Sequence, residues 1–156
     1  MGKFNNKIEA EFEPPKRWVL SRALSYTNKE IDCEALAAIS VKTPGSRITV
    51  KKGFSTDLAS TPRALWNVIA PWDVARAAII HDLLYKSIRQ YRVNVTKGLG
   101  QEDQNIINAA KKAADDVFLM AMKDSEPPVS SWKMQAAYRA VRMFGRWSII
   151  PREDNI

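Results

Sequence analysis

The segment Ala77–Tyr85 reads AAIIHDLLY and sets the chain's single histidine, an aspartate and a tyrosine directly after an apolar run. Whether this stretch is a helix or a buried strand decides the fold. Pro71 just upstream is a helix start signal, with Asp73 placed as N-cap. Ala75, Ala78, Ile79, Leu83 and Ile88 then recur at i, i+3 and i+4 spacing, which predicts a long helix with one apolar stripe. On such a helix His81 and Tyr85, four residues apart, share a face, and Asp82, three before Tyr85, sits at its edge.

Outward from this helix the chain changes character near Pro62. On the N-terminal side, RWVLSRALSYT (17–27), ALAAISVK (35–42) and RITVKKGF (47–54) are rich in β-branched or apolar residues. Turn-prone clusters at Pro14-Pro15, Thr27-Asn28 and Thr43-Pro44-Gly45-Ser46 separate them, which predicts a small antiparallel sheet. Residues 30–39, EIDCEALAAI, are compatible with a strand or a helical turn. On the C-terminal side, a loop with Gly98 and Gly100 leads into a second helix from Glu102 to Lys123, with Ile107, Ala110, Ala114, Val117, Phe118 and Ala121 on one face. Ser125–Pro128 ends it. Ser130 or Ser131 then caps a third helix, whose apolar side is Met134, Ala137, Tyr138, Val141 and Phe144 and whose stop is Gly145. The expected class is α+β: one domain over 1–156, β-rich in 1–61, helical in 62–146, with a short tail at 147–156 and a single shared core.

Composition sets the outer limits. A chain of 156 residues, 46% of them hydrophobic, can bury one real core and is short for two. No stretch approaches the roughly 18 apolar residues of a membrane-spanning helix, and the start MGKFNNK lacks the apolar segment of a secretory signal. A soluble protein made in the cytoplasm is the expectation. Asn6 stands where a myristoylation motif takes Ser or Thr. Cys33 is the one cysteine, which rules out an intrachain disulfide or a thiolate zinc cluster within the chain. The net charge of +7 favours anionic partners, although a positive balance also serves solubility, and the basic residues are scattered with no nucleic-acid reading motif beside them.

Three polar groups on an apolar helix need an explanation, because a buried polar side chain costs a few kcal/mol unless it finds a partner. Either they bond neighbouring backbone or they form a specific site. Asp115 lies 34 residues beyond His81 on the second helix, which can run antiparallel to the first. An aspartate facing a histidine in that way fixes the imidazole tautomer. Asp115 falls at the border of the apolar stripe and can look inward, whereas Asp116, rotated a further 100° or so, falls beside Lys112 and Lys123 and looks to water. The loop GFSTDLASTP (53–62) offers Asp57 and several hydroxyls, which with Asp82 could form the all-oxygen shell of a hard cation such as calcium.

GFSTDLASTPRALW (53–66), AAIIHDLLY (77–85), AADDVFLMAM (113–122) and AVRMFG (140–145) resemble, in order, the motifs of a phage and prophage family called domain of unknown function 1353. The resemblance covers roughly Tyr26 to Gly145 and sets Asp57, Ser60, Pro62, Trp66, His81, Asp82, Tyr85, Asp115 and Phe118 on motif positions. It implies a bacteriophage or prophage origin and brings no established activity. The pattern H-D-x-x-Y with a later Asp is also similar, more locally, to the secreted phospholipases A2. That likeness implies His81 as general base, Asp82 as calcium ligand, and Tyr85 and Asp115 as the pair that orients the histidine. The chain departs from those enzymes in having one Cys and no glycine-rich calcium loop.

Two functions follow as expectations. The first is a virion-associated structural or assembly component, such as a tail, neck or internal protein, built around a His-Asp polar site. It would be made in the host cytoplasm and carried into the virion. Its partners would be other phage structural proteins, with weak non-specific contact to nucleic acid or an anionic envelope. The second is a phage-encoded metal-dependent hydrolase acting on lipid or cell wall. There a His81–Asp115 dyad with Tyr85 activates water, and Asp57 and Asp82 hold the cation.

Overall fold

Residues Arg47–Val50 alternate between exposed and buried, and the buried pair Ile48 and Val50 lies opposite Tyr26 and Leu24 in an antiparallel register. That pairing is the centre of the sheet on which the helices rest. A computed structural model describes residues 1–14, 17–56 and 71–156, apart from the side chains of Pro71, Trp72 and Asp73. The strands are β1 (Lys3–Phe4), β2 (Ala10–Glu13), β3 (Arg17–Leu20), β4 (Leu24–Thr27), β5 (Arg47–Val50) and β6 (Ser55–Thr56), and the helices are α1 (Cys33–Ala37), α2 (Pro71–Lys97), α3 (Gln104–Lys123) and α4 (Ser131–Ser148). The strands form two antiparallel three-stranded sheets among the described residues, ordered β1-β4-β5 and β2-β3-β6. The class is α+β.

Helix α2, 27 residues and about 40 Å long, packs across β4 and β5, and α3 lies between α2 and α4 with α1 against it. Leu24, Tyr26, Ile48 and Val50 from the sheet join Ile80, Leu84 and Ile88 of α2 and Val117 and Phe118 of α3 in one core. The two halves are also tied by polar contacts. Asp124, the C-cap of α3, accepts hydrogen bonds through Oδ2 from the Gly2 backbone N–H at 2.9 Å and the Tyr26 hydroxyl at 2.5 Å. Burial and this carboxylate push the Tyr26 phenol well above its ordinary pKa.

Several sequence expectations change in the folded chain. Residues 35–42 do not form a strand; of the two readings open for 30–39, the helical turn is the one adopted. Asp32 caps a short helix by accepting from the Ala35 N–H, and Ser40 closes it in the left-handed region at φ 66°, with Val41 N–H bonding back to Leu36. Helix α2 already includes Pro71, so Asp73 sits inside it and not at its cap. The single stripe foreseen on α2 also widens. Ala75 and Leu83 are half-buried, while Ala77, Ile80, Leu84 and Tyr85 are buried, because sheet and helices surround α2 on most sides. The stripe foreseen for α3 is buried throughout, from Ile107 to Ala121, and Asp103 caps the helix by accepting from Asn105 and Ile106 N–H. Gly145 does not stop α4, which runs on to Ser148, and Phe144 is exposed. Asp57, Ser60, Pro62 and Trp66 lie outside the described residues.

Ser40 is exposed and holds a backbone conformation that costs an L-residue roughly 1 kcal/mol relative to glycine. Ser40→Gly should therefore leave stability unchanged or raise it by up to about 1 kcal/mol, whereas Ser40→Val should lower it. Urea unfolding of the two variants checks the closure of α1.

Candidate functional site

Asp115 projects from the middle of α3 and is fully buried, with Ala113, Ala114, Val117 and Phe118 as apolar neighbours in sequence. A carboxylate in such surroundings persists as an anion only if donors replace the water it has lost. Four do so. Oδ1 lies 2.9 Å from Nε2 of His81 and accepts from the Tyr85 hydroxyl at 2.6 Å; Oδ2 accepts from Nζ of Lys111 at 2.7 Å and from Nη1 of Arg142 at 3.0 Å. His81 and Tyr85 come from α2, one turn apart, Lys111 lies one turn before Asp115 on α3, and Arg142 comes from α4. Three helices thus meet at one carboxyl group.

The donors are themselves constrained. The Lys111 ammonium also donates to the Val141 carbonyl at 2.9 Å, and the imidazole ring lies between Tyr85 and Phe118 with centroids 4.0 and 4.8 Å away. Gly145 makes the α4 contact possible: a Cβ there would collide with the Tyr85 hydroxyl and crowd Lys111 Cε. Helix propensity alone would favour alanine by about 1 kcal/mol, and the close approach of α4 overrides it.

Electrostatics follow from this geometry. Burial alone would raise the Asp115 pKa, but hydrogen bonding and charge from His81, followed by the bonds from Lys111 and Tyr85, outweigh it and hold the group at about 2. Burial lowers the Lys111 pKa, against the opposing pull of Asp115. Burial, then the charge and hydrogen bond of Asp115, push the Tyr85 phenol far up, so it stays a donor at any physiological pH. Since ionised Asp115 can only accept, the hydrogen shared with it resides on Nε2 of His81. In the neutral ring Nδ1 then carries the lone pair. Nδ1 is buried and has no hydrogen-bond partner among the described residues.

His81, Tyr85 and Asp115, foreseen as a catalytic set, thus lie together. Asp82 faces a different neighbour: its Oδ2 accepts from the Thr56 hydroxyl of β6. Asp57, the other foreseen metal ligand, lies outside the described residues, and among the described residues no group of three or more His, Cys, Asp or Glu could hold a metal ion. Asp116 does not look simply to water. It is half-buried and accepts from Tyr138 and Lys112, and burial with this bond pushes the Tyr138 phenol up to about 12. Lys111 and Arg142 were missed as members of the cluster. The i, i+4 spacing of Lys111 and Asp115 was a usable signal, whereas nothing in the sequence marks Arg142.

Two measurements test the cluster. Asp115→Asn leaves the Lys111 ammonium buried without its counter-charge and should cost about 2 to 4 kcal/mol, while Asp116→Asn, at a side chain 35% exposed, should cost less than about 1 kcal/mol. The folded-state pKa of Asp115 is depressed, so its contribution is complete above the unfolded value near 4 and is lost as pH falls through about 2. Stability of the parent should therefore decline between pH 4 and pH 2 by about 2 kcal/mol more than that of Asp115→Asn. Urea unfolding across that range measures both, and identical pH profiles would show that Asp115 is not held as an anion.

No curated protein and no solved structure matches the chain. Residues 34–141, more than half of the chain, match the model of the family described as Protein of unknown function (DUF1353), and the chain belongs to that family.

Proposed function

We propose that the chain is a hydrolase in which His81 acts as general base on a water molecule attacking an ester or amide. The observation that carries this reading is the asymmetry of the imidazole, with Nε2 pinned by a buried carboxylate and Nδ1 buried without a partner among the described residues. Since no protein group among the described residues bonds Nδ1, its lone pair is left to accept from a water molecule, which a network serving only as scaffold does not require. A base needs that lone pair directed at a proton that is not its own.

In the proposed step the water oxygen attacks the carbonyl carbon while its proton passes to Nδ1. Collapse of the tetrahedral intermediate returns that proton to the departing alkoxide or amine, so the enzyme ends as it began. Asp115 stabilises the imidazolium formed in between and holds the ring in place, and Tyr85, Lys111 and Arg142 in turn fix Asp115. The step uses this chain's own groups. Asp82 is placed beside His81 on α2 and engages Thr56, which by itself is not the multi-oxygen shell that calcium takes. Lipid and cell-wall substrates both contain the required ester or amide bonds.

The test is hydrolysis of nitrophenyl esters, phospholipid vesicles and peptidoglycan by the purified chain, with added calcium and with chelator. Turnover of one class that falls by a hundredfold or more in His81→Gln, with the fold retained by circular dichroism, is the expected result. Complete inactivity of the parent on all three would favour the other reading, a phage virion or assembly component in which the same cluster holds helices together.

A further inference from the structure

Helix α4 buries Met134, Ala137, Val141 and Gly145 against the rest of the protein. Its opposite face has no such cover. At about 100° per residue, Trp132, Arg139, Met143 and Trp147 fall within one arc of roughly 80°, with Arg142 and Arg146 along one border and Lys133 and Phe144 along the other. Trp132 and Met143 are 62% and 63% exposed, and Phe144, Trp147 and, just past the helix, Ile150 are also exposed. Five of the nine exposed large apolar side chains among the described residues therefore gather on this one helix and its end. Phe144 stacks near Trp147 at 6.0 Å, and the Arg146 guanidinium lies 4.2 Å from the Trp147 ring centroid, so the patch is cationic and aromatic at once. The helix holds four basic residues and no acidic one.

We propose that the outer face of α4 is an interfacial binding surface for an anionic phospholipid bilayer, on which α4 lies parallel to the membrane with its apolar side chains at the headgroup boundary. The proposal is independent of what His81 does. Tryptophan, phenylalanine, methionine and isoleucine bordered by arginine and lysine suit that boundary, where apolar bodies enter the acyl region and cations meet lipid phosphate. A nucleic acid fits less well. Met143 and Ile150 offer no ring for base stacking, and a single convex helix offers no groove to track a backbone. A second copy of the chain fits less well too, because pairing of this face with itself would oppose the same arginines across a two-fold axis.

The experiment is co-sedimentation of the intact chain with vesicles of pure phosphatidylcholine and of mixed phosphatidylcholine and phosphatidylglycerol, with tryptophan emission read in parallel. Retention by the mixed vesicles well above that by the neutral ones, a blue shift on binding and weakening by salt are expected. Each cation near an anionic bilayer contributes about a fivefold change in affinity, so Arg139→Gln with Arg146→Gln should weaken binding roughly thirtyfold. Met143→Ser with Trp147→Ser should weaken retention by the mixed vesicles and reduce the blue shift, to which Trp132 on the same face still contributes. All four positions are exposed, and none contacts Asp115, so circular dichroism should match the parent; the single variants Arg139→Gln and Met143→Ser serve if a double variant does not fold. Equal retention by both vesicle types, no retention of the parent, or variants that bind like the parent would overturn the proposal. DNA binding with no vesicle binding would assign the face to nucleic acid, and dimerisation lost in Met143→Ser with Trp147→Ser would assign it to a second copy; either result overturns it as well.

Discussion

A buried negative charge is the constraint on which the helical half of this protein is organised. Asp115 is shut off from bulk solvent, so its ionisation depends on donors arriving from three helices in fixed positions. If any one helix is displaced by an ångström or two, a charge or a polar group is left without a partner in an apolar interior, at a cost comparable with a substantial part of a domain's net stability. The apolar contacts bring α2, α3 and α4 together; the carboxylate selects the one arrangement in which all four donors reach it. The proposed chemistry uses the same selectivity, because the bond that satisfies Asp115 also fixes which nitrogen of His81 holds a proton.

Around that point the chain accepts local choices that propensity alone would not favour. Gly145 stands in the interior of α4 because the Tyr85 hydroxyl occupies the space a side chain would need. Lys111 is buried on α3 because its ammonium spans Asp115 and the Val141 carbonyl of α4. Far from this cluster, Asp124 repeats the device on a smaller scale, drawing the N-terminal strands to the end of α3 through Gly2 and Tyr26. In both places a carboxylate within α3 or at its C-cap receives groups distant in sequence.

How far the sequence revealed this depends on how one-sided each element's burial is. Helix α3 has a core face and a solvent face, and all six residues of the stripe foreseen from Ile107 to Ala121 are buried, with Lys111, Ala113 and Met122 joining them. Helix α2 is enclosed on most sides, so the period of its apolar residues is blurred and the stripe drawn through Ala75 and Leu83 was too narrow. Residues 30–39 read equally as strand or helical turn because the signals of the short helix they form are a single Asp cap and a serine, not a glycine, in the left-handed position. The grouping of His81, Tyr85 and Asp115 was accessible from helical spacing on two neighbouring helices. Arg142 was not, since its place depends on the docking of α4, and Gly145 carried the ordinary signal of a helix end while serving as a close contact.

The end of α4 shows a different kind of dependence. Arg89 of α2 donates to the carbonyl of Ser148 at 2.9 Å and Arg92 to that of Ile149 at 3.0 Å, while Arg89 also reaches the Asn155 carbonyl at 2.7 Å. The carbonyls that every helix leaves unbonded at its C-terminus are here met by guanidinium groups from the helix that carries His81. The last turn of α4 is therefore not a local property of its own sequence. Cut free from α2, it would lose its terminal acceptors' partners and fray, so completing α4 and docking it against α2 are one cooperative event. That cooperativity binds the C-terminal tail, the outer α4 face and the Asp115 cluster into a single unit of folding.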